Sequence, residues 1–178
     1  MQLFLKLSLL TTLIASSDGL QAQPIFFENF DSVSLSPQWQ IISGNWHRAD
    51  VQELRIAPAE NGRQFVLRSD STGYIRLFID LPVASKAKKC QFSFLYYTYA
   101  KGMAPQVETE FYKKEMIDGI RGKPGTWILP VKGMWVRFSK TLVLPADANQ
   151  LRIVFFNPRS SSTGRAPCFD VVSVSLLK

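Results

Sequence analysis

The chain has 178 residues, with 21 Lys and Arg against 14 Asp and Glu, a formal net charge of +7, one histidine and two cysteines. That is room for one domain with a single core. The composition works against several functions. His47, the only histidine, sits between Trp46 and Arg48 with no acid at a suggestive spacing, so a nucleophile–base pair has no candidate. A zinc site would need more than two isolated cysteines and one distant histidine. There is no run of five basic residues; Lys86, Lys88 and Lys89 form the densest group, and nucleic acid is not an expected partner.

Met1 to Lys6 carries one positive charge, Leu7 to Ala15 is a short apolar run, and Ser16 to Ala22 is small and polar. The pattern is that of a secretory leader, residues 1–22, cut after Ala22. The apolar run falls short of the roughly 20 residues that span a bilayer, and no other run approaches that length. The expectation is a secreted domain over residues 23–178 with no transmembrane segment. Its net charge stays at +7, because the leader removes Lys6 and Asp18 together.

In chain order, Pro24 to Asp31 reads as a first strand, and Trp39 to Ile42 as a second that a turn at Gly44 separates from Trp46. Leu54 to Ala57 is short and β-like, and PAENG (58–62) is a turn. Gln64 to Arg68 and Tyr74 to Asp80 flank a hairpin loop. Cys90 to Tyr99 is the richest β-forming run, with Phe92, Phe94 and Tyr96 on one face. Val107 to Tyr112 follows, and Lys113 to Pro124 is charged and glycine-containing, so it reads as loop with room for one helical turn at Lys114 to Ile117. Trp127 to Val131, Trp135 to Leu144 and Leu151 to Phe156 are further strands. The segment NPRSSSTGRAP (157–167) is an exposed loop before the closing strand, Cys168 to Leu177.

That last strand alternates strictly. Val172, Val174 and Leu176 point one way, Val171, Ser173 and Ser175 the other. Read with FFENFD (26–31), it predicts that the two ends of the domain meet in one sheet. About ten short strands without helical periodicity give an all-β, antiparallel two-sheet sandwich. Cys90 and Cys168 each open a strand; if those strands are antiparallel neighbours, the sulfurs lie well beyond the roughly 7 Å Cα limit for a bridge, while the oxidising destination of the chain keeps a disulfide open.

FFENFDS, a tryptophan about eight residues on, GNW, the LRIVFFN strand and FDVVSVSL together resemble the jelly-roll modules of secreted proteins. The pattern is similar to MAM domains, to cleaved-adhesin domains and to carbohydrate-binding modules of the galactose-binding type. Cys90, Phe92, Phe94 and Tyr96 stand where the MAM pattern has its C-L-x-F-x-Y strand, and Asp170 matches the first of its two closing acids while Val171 replaces the second. The resemblance implies a jelly-roll β-sandwich. It also implies a structural calcium ion between the first and last strands, with Glu28, Asp31 and Asp170 as candidate ligands. The bland alternative is that these acids face solvent or bond to backbone amides.

For a ligand face, alternation puts Tyr97 and Tyr99 opposite Phe92 and Phe94. It pairs Glu108 and Glu110 with Tyr112, Trp135 with Arg137, and Tyr74 with Arg76. If these faces coincide, Tyr97, Tyr99, Glu108, Glu110, Tyr112 and Arg137 form one ligand-binding surface of rings, acids and arginines suited to sugars. Alternatively, the aromatics are a second layer of core. The expected role is a non-catalytic binding or adhesion module, not an enzyme, that takes an extracellular glycan or a cell-surface protein. A glucanase-like hydrolase is the alternative, since Glu108 and Glu110, two strand positions apart, sit about 6–7 Å from each other, near the roughly 5.5 Å of retaining glycosidases. A structural matrix component is a third reading.

Overall fold

The computed structural model describes residues 22–59, 62, 64–82, 87–115, 119–158 and 165–177. The expected leader, all but Ala22, lies outside them, as do Met116 and Ile117 of the expected helical turn. Eleven strands form two antiparallel sheets, and among the described residues there is no α-helix.

The first sheet holds β1 (Gln23–Glu28), β3 (Trp46–Asp50), β4 (Phe65–Ser69), β6 (Lys89–Tyr97), β9 (Trp135–Val143) and β11 (Cys168–Leu177), in the order β3-β4-β11-β6-β9. The closing strand β11 is its axis. Its start pairs with β4 through Cys168 and Phe169, the rest of that flank pairs with β1 from Val172 to Leu176, and β6 runs along the other side. The second sheet is β2 (Trp39–Ile41), β5 (Gly73–Asp80), β10 (Gln150–Asn157), β7 (Gln106–Tyr112) and β8 (Ile120–Ile128), ordered β2-β5-β10-β7-β8. The two chain ends do meet, with Gln23 opposite Leu176 and Glu28 opposite Val172.

Alternation drives this layering. On β5, Gly73, Ile75, Leu77 and Ile79 are buried while Tyr74, Arg76, Phe78 and Asp80 are not. On β10, Leu151, Ile153 and Phe155 turn inward. Phe92, Phe94 and Tyr96 of β6 meet them from the facing sheet and are completely or almost completely buried, as expected. The centre is aromatic. Phe155 has ring centroids 5.2 Å from Phe94, 5.0 Å from Phe169 and 5.6 Å from Trp39.

Three expected elements differ; of Trp127 to Val131, only Trp127 and Ile128 are strand, as the end of β8. Leu54 to Ala57 is not a strand; residues 51–56 form a tight turn, with Leu54 N bonded to Asp50 O, Arg55 N to Gln52 O and Ile56 N to Val51 O. The expected loop over Lys113 to Pro124 instead ends in β8. Gly122 and Pro124 do not break that strand because β8 pairs with β7 alone and is the sheet's edge, where a missing N–H costs no ladder bond.

Glycine is required where the β2–β3 connection crosses the start of β5. A Cβ on Gly73 would run into the Ser43 carbonyl and stand 2.6 Å from Gly44 Cα, and Gly44 itself has φ +85°. Gly73→Ala is therefore expected to cost about 1–3 kcal/mol, lowering Tm in scanning calorimetry by about 2–4 °C per kcal/mol for a domain of this size. An unchanged Tm would show that this crossing yields easily.

Cys90 and Cys168 are both free and buried. On the antiparallel β6–β11 pair, Cys90 faces Leu176 and Cys168 faces Tyr97, so the two lie at opposite ends of the ladder. Cys90 belongs to the main core, Cys168 to a smaller cluster on the outer face. Burial pushes both thiols up to about 12. Both should resist a thiol reagent at pH 8 in the native protein and react fully in denaturant. A mass two protons lower for the unreduced chain would contradict this.

Candidate functional site

The six expected ligand-binding residues do not form one surface. Glu108, Glu110 and Tyr112 lie on the outer face of the five-stranded sheet, while Tyr97, Tyr99 and Arg137 belong to the outer side of the six-stranded sheet, across the core. Period-two alternation shows which residues of a strand share a face, but not which strands share a sheet.

The outer face of the five-stranded sheet is built in rows by the strand register. Tyr74, Phe156 and Gln106 form one row, Arg76, Val154 and Glu108 the next. Phe78, Arg152 and Glu110 form the third, and Asp80, Gln150 and Tyr112 the last. Tyr74, 42% exposed, stacks on Phe156 with centroids 4.5 Å apart. Six residue steps along β5 take this aromatic end to Asp80, a run of about 20 Å.

The polar middle is tightly paired. Arg152 forms an ion pair with Glu110 Oε2 and lies over the Tyr112 ring at 4.7 Å. The Tyr112 hydroxyl donates to the same Glu110 oxygen at 2.9 Å, and Gln106 Nε2 donates to Glu108 Oε1 at 2.6 Å. Burial, then the neighbouring Arg76 guanidinium, push Arg152 below its usual range, while Glu108 acts in the opposite direction. Burial raises the Tyr112 phenol, partly offset by Arg76. The Nε–H groups of Arg76 and Arg152 have no protein acceptor. At the last row, Gln150 Nε2 donates to Asp80 Oδ1 at 2.9 Å, and Lys114 Nζ lies 3.4 Å from that oxygen.

Each carboxylate of the Glu108 and Glu110 pair is thus already engaged by a protein donor, and the pair holds a positive charge in place. Arg152 and Phe156 were not among the expected site residues, although the alternation of LRIVFFN places both on the side away from Leu151, Ile153 and Phe155.

The three acids expected to hold calcium lie where β1 and β11 part. Glu28, 7% exposed, accepts from Phe30 N at 3.1 Å through Oε1. Asp170, fully buried, accepts from Val171 N at 2.7 Å through Oδ1. Phe30 and Val171 both hold left-handed backbone, φ +57° and +49°, which is costly for such side chains. The two carboxylates brace those conformations. Asp31 is exposed and takes the Asn29 amide at 2.8 Å. The carbonyl oxygens of Phe30 and Asp31 accept from the Arg48 guanidinium at 2.5 and 3.2 Å, and that guanidinium sits 3.3 Å from the Phe65 ring centroid. Among the described residues no three His, Cys, Asp or Glu side chains gather into a cation-binding group. Calcium needs six to eight oxygens, and two of the backbone oxygens beside these acids, those of Phe30 and Asp31, accept from Arg48.

No family model matches the sequence, and no curated protein is similar to it. Likeness to solved structures is clear, at low identity. The K1 cleaved adhesin domain of Lys-gingipain from Porphyromonas gingivalis has TM-score 0.56 and 16% identity over 86% of this chain and 98% of that one. The CBM22-2 xylan-binding domain from Paenibacillus barcinonensis has TM-score 0.55 and 16% identity over 85% and 99%. The enzymatically active domain of a bacteriophage tailspike protein has TM-score 0.60 and 13% identity over 79% of this chain, which spans only 20% of that one. The fold is therefore the β-sandwich shared by adhesin and carbohydrate-binding modules.

Proposed function

We propose that the protein is a secreted, non-catalytic binding module whose outer five-stranded face takes an extracellular glycan. The observation that carries this reading is the exposed Tyr74–Phe156 stack at one end of a row-by-row array of Arg76, Arg152, Glu108 and Glu110. Sugar rings stack their CH faces on aromatic rings, and planar guanidinium and carboxylate groups hold paired hydroxyls. The likeness to a xylan-binding domain supports a polysaccharide ligand, and the likeness to a cleaved adhesin domain supports a surface role.

A glycan array on residues 23–178 tests the reading. Selective binding is expected, and Tyr74→Ala should weaken it by about fivefold, as loss of a ring contact worth roughly 1 kcal/mol implies. Absence of binding to every glycan would overturn it in favour of a protein partner, and release of shortened sugars would point to a hydrolase. Repeating the array and a thermal melt with a chelator is expected to change neither, whereas Arg48→Met should lower Tm, because Arg48 holds the turn after β1. Loss of binding or of several degrees of Tm on chelation would restore the metal.

A further inference from the structure

We infer that the opposite, six-stranded face carries a second site, a recess for the carboxylate or sulfate group of an acidic saccharide. The turn at residues 51–56 packs over the outer face of this sheet and is pinned there. The Tyr99 hydroxyl donates to Leu54 O at 3.4 Å, and Trp135 Nε1 donates to Ala57 O at 2.7 Å. Val51 and Ile56 close a small apolar cluster with Val66 and Cys168 beneath it. At the margin of this cluster remains a recess of ≈ 450 Å³, within the roughly 300–1,000 Å³ of small-molecule sites.

Its walls are rings and guanidinium groups. Tyr97 and Tyr99 stand edge to face at 5.1 Å, and Tyr97 packs against Trp135 at 5.6 Å. Arg165 lies over the Tyr99 ring at 5.5 Å. Three arginines, Arg55, Arg68 and Arg165, line the recess against one carboxylate, Glu53. Arg68 is buried and fixed by Asp70 at 2.8 Å, and Asp70 also lies 3.6 Å from His47. Arg55 and Arg165 are exposed, and neither forms an ion pair with a described carboxylate. Arg55 is held at φ +54°, a conformation an arginine does not adopt without cost, in a turn braced by Asp50, whose Oδ1 accepts from Gln52 N at 2.7 Å.

Two unpaired guanidinium groups beside two tyrosine rings match an anion carried on a sugar. A planar guanidinium binds a carboxylate or sulfate by two parallel hydrogen bonds, and the adjacent ring accepts the apolar face of a pyranose. A neutral glycan leaves these cations unmatched. The site is separate from the glycan face of the five-stranded sheet and stands or falls independently of it.

The test is chemical-shift mapping of residues 23–178 with sodium glucuronate and glucose 6-sulfate in separate titrations, with glucose as the neutral control. Saturable shifts with a millimolar Kd are expected for Leu54, Arg55, Tyr97, Tyr99 and the Trp135 indole. Which acidic sugar binds tighter distinguishes carboxylate from sulfate. The Arg55→Asn/Arg165→Gln double variant, which keeps a residue tolerant of left-handed backbone at 55, should weaken binding by at least about tenfold, with unchanged spectral dispersion and Tm. Lys89→Ala, which removes an exposed cation at the far end of β6 from Tyr97, should leave it intact. Equal shifts with glucose, shifts that persist in the double variant, or none at tens of millimolar would each overturn the inference.

Discussion

Phe155→Ala is expected to be the most destabilising single change in the protein. The ring is fully buried on β10 and touches aromatic partners from both sheets: Trp39 from its own, and Phe92, Phe94 and Phe169 from the facing one. Truncation removes the transfer energy of the ring and leaves a cavity whose walls are strands in two ladders, which cannot close over it. Such losses run at about 3–5 kcal/mol, a large share of the roughly 5–15 kcal/mol that holds a domain together. Denaturant titration should show the midpoint fall with the slope unchanged. A cost below about 1 kcal/mol would mean that the two sheets can approach each other to fill the gap, contrary to close packing.

The largest effect on binding is expected at Arg152. Its side chain is 19% exposed and that of Glu110 15%, so the pair is held in a largely dry setting where one partner alone is costly. Arg152→Met should abolish glycan binding and also destabilise the fold, because Glu110 is left without its cation. The double change Arg152→Met/Glu110→Gln separates the two roles. Recovery of Tm without recovery of binding would show that the guanidinium itself meets the ligand. Recovery of both would show that Arg152 serves only to neutralise Glu110, and the polar middle of the face would then play no part in recognition.

Much of the architecture could be read from residue order. The closing strand has the expected bounds, the meeting of FFENFD with it is observed, and Phe92, Phe94 and Tyr96 are core. These readings depend on local alternation, which a strand buried on one face must obey. The candidate site was less legible because it depends on which strand lies beside which. Tyr97 and Glu108 each sit on the expected face of their own strand, yet the strands belong to different sheets. The chain crosses between the sheets after β6 and returns to the first at β9, and no local pattern announces either crossing. Arg55, Arg68 and Arg165 are brought together by a turn, a strand and a loop far apart in sequence. Arg48 shows a different gap: nothing in the sequence marked it as the residue that holds the carbonyl oxygens of the turn after β1.

The pairing of β1 with β11 also sets how the domain bears load. Gln23, where β1 begins, lies opposite Leu176, near where β11 ends. Tension applied through the two chain ends therefore pulls this antiparallel pair apart from its open end, straining its cross-strand hydrogen bonds one after another, not all together in shear. The first strand peels away at low force, like a zip, until it reaches the turn held by Arg48. Under such tension the ends yield first, and the five-stranded face, which contains neither terminal strand, keeps its shape while they do.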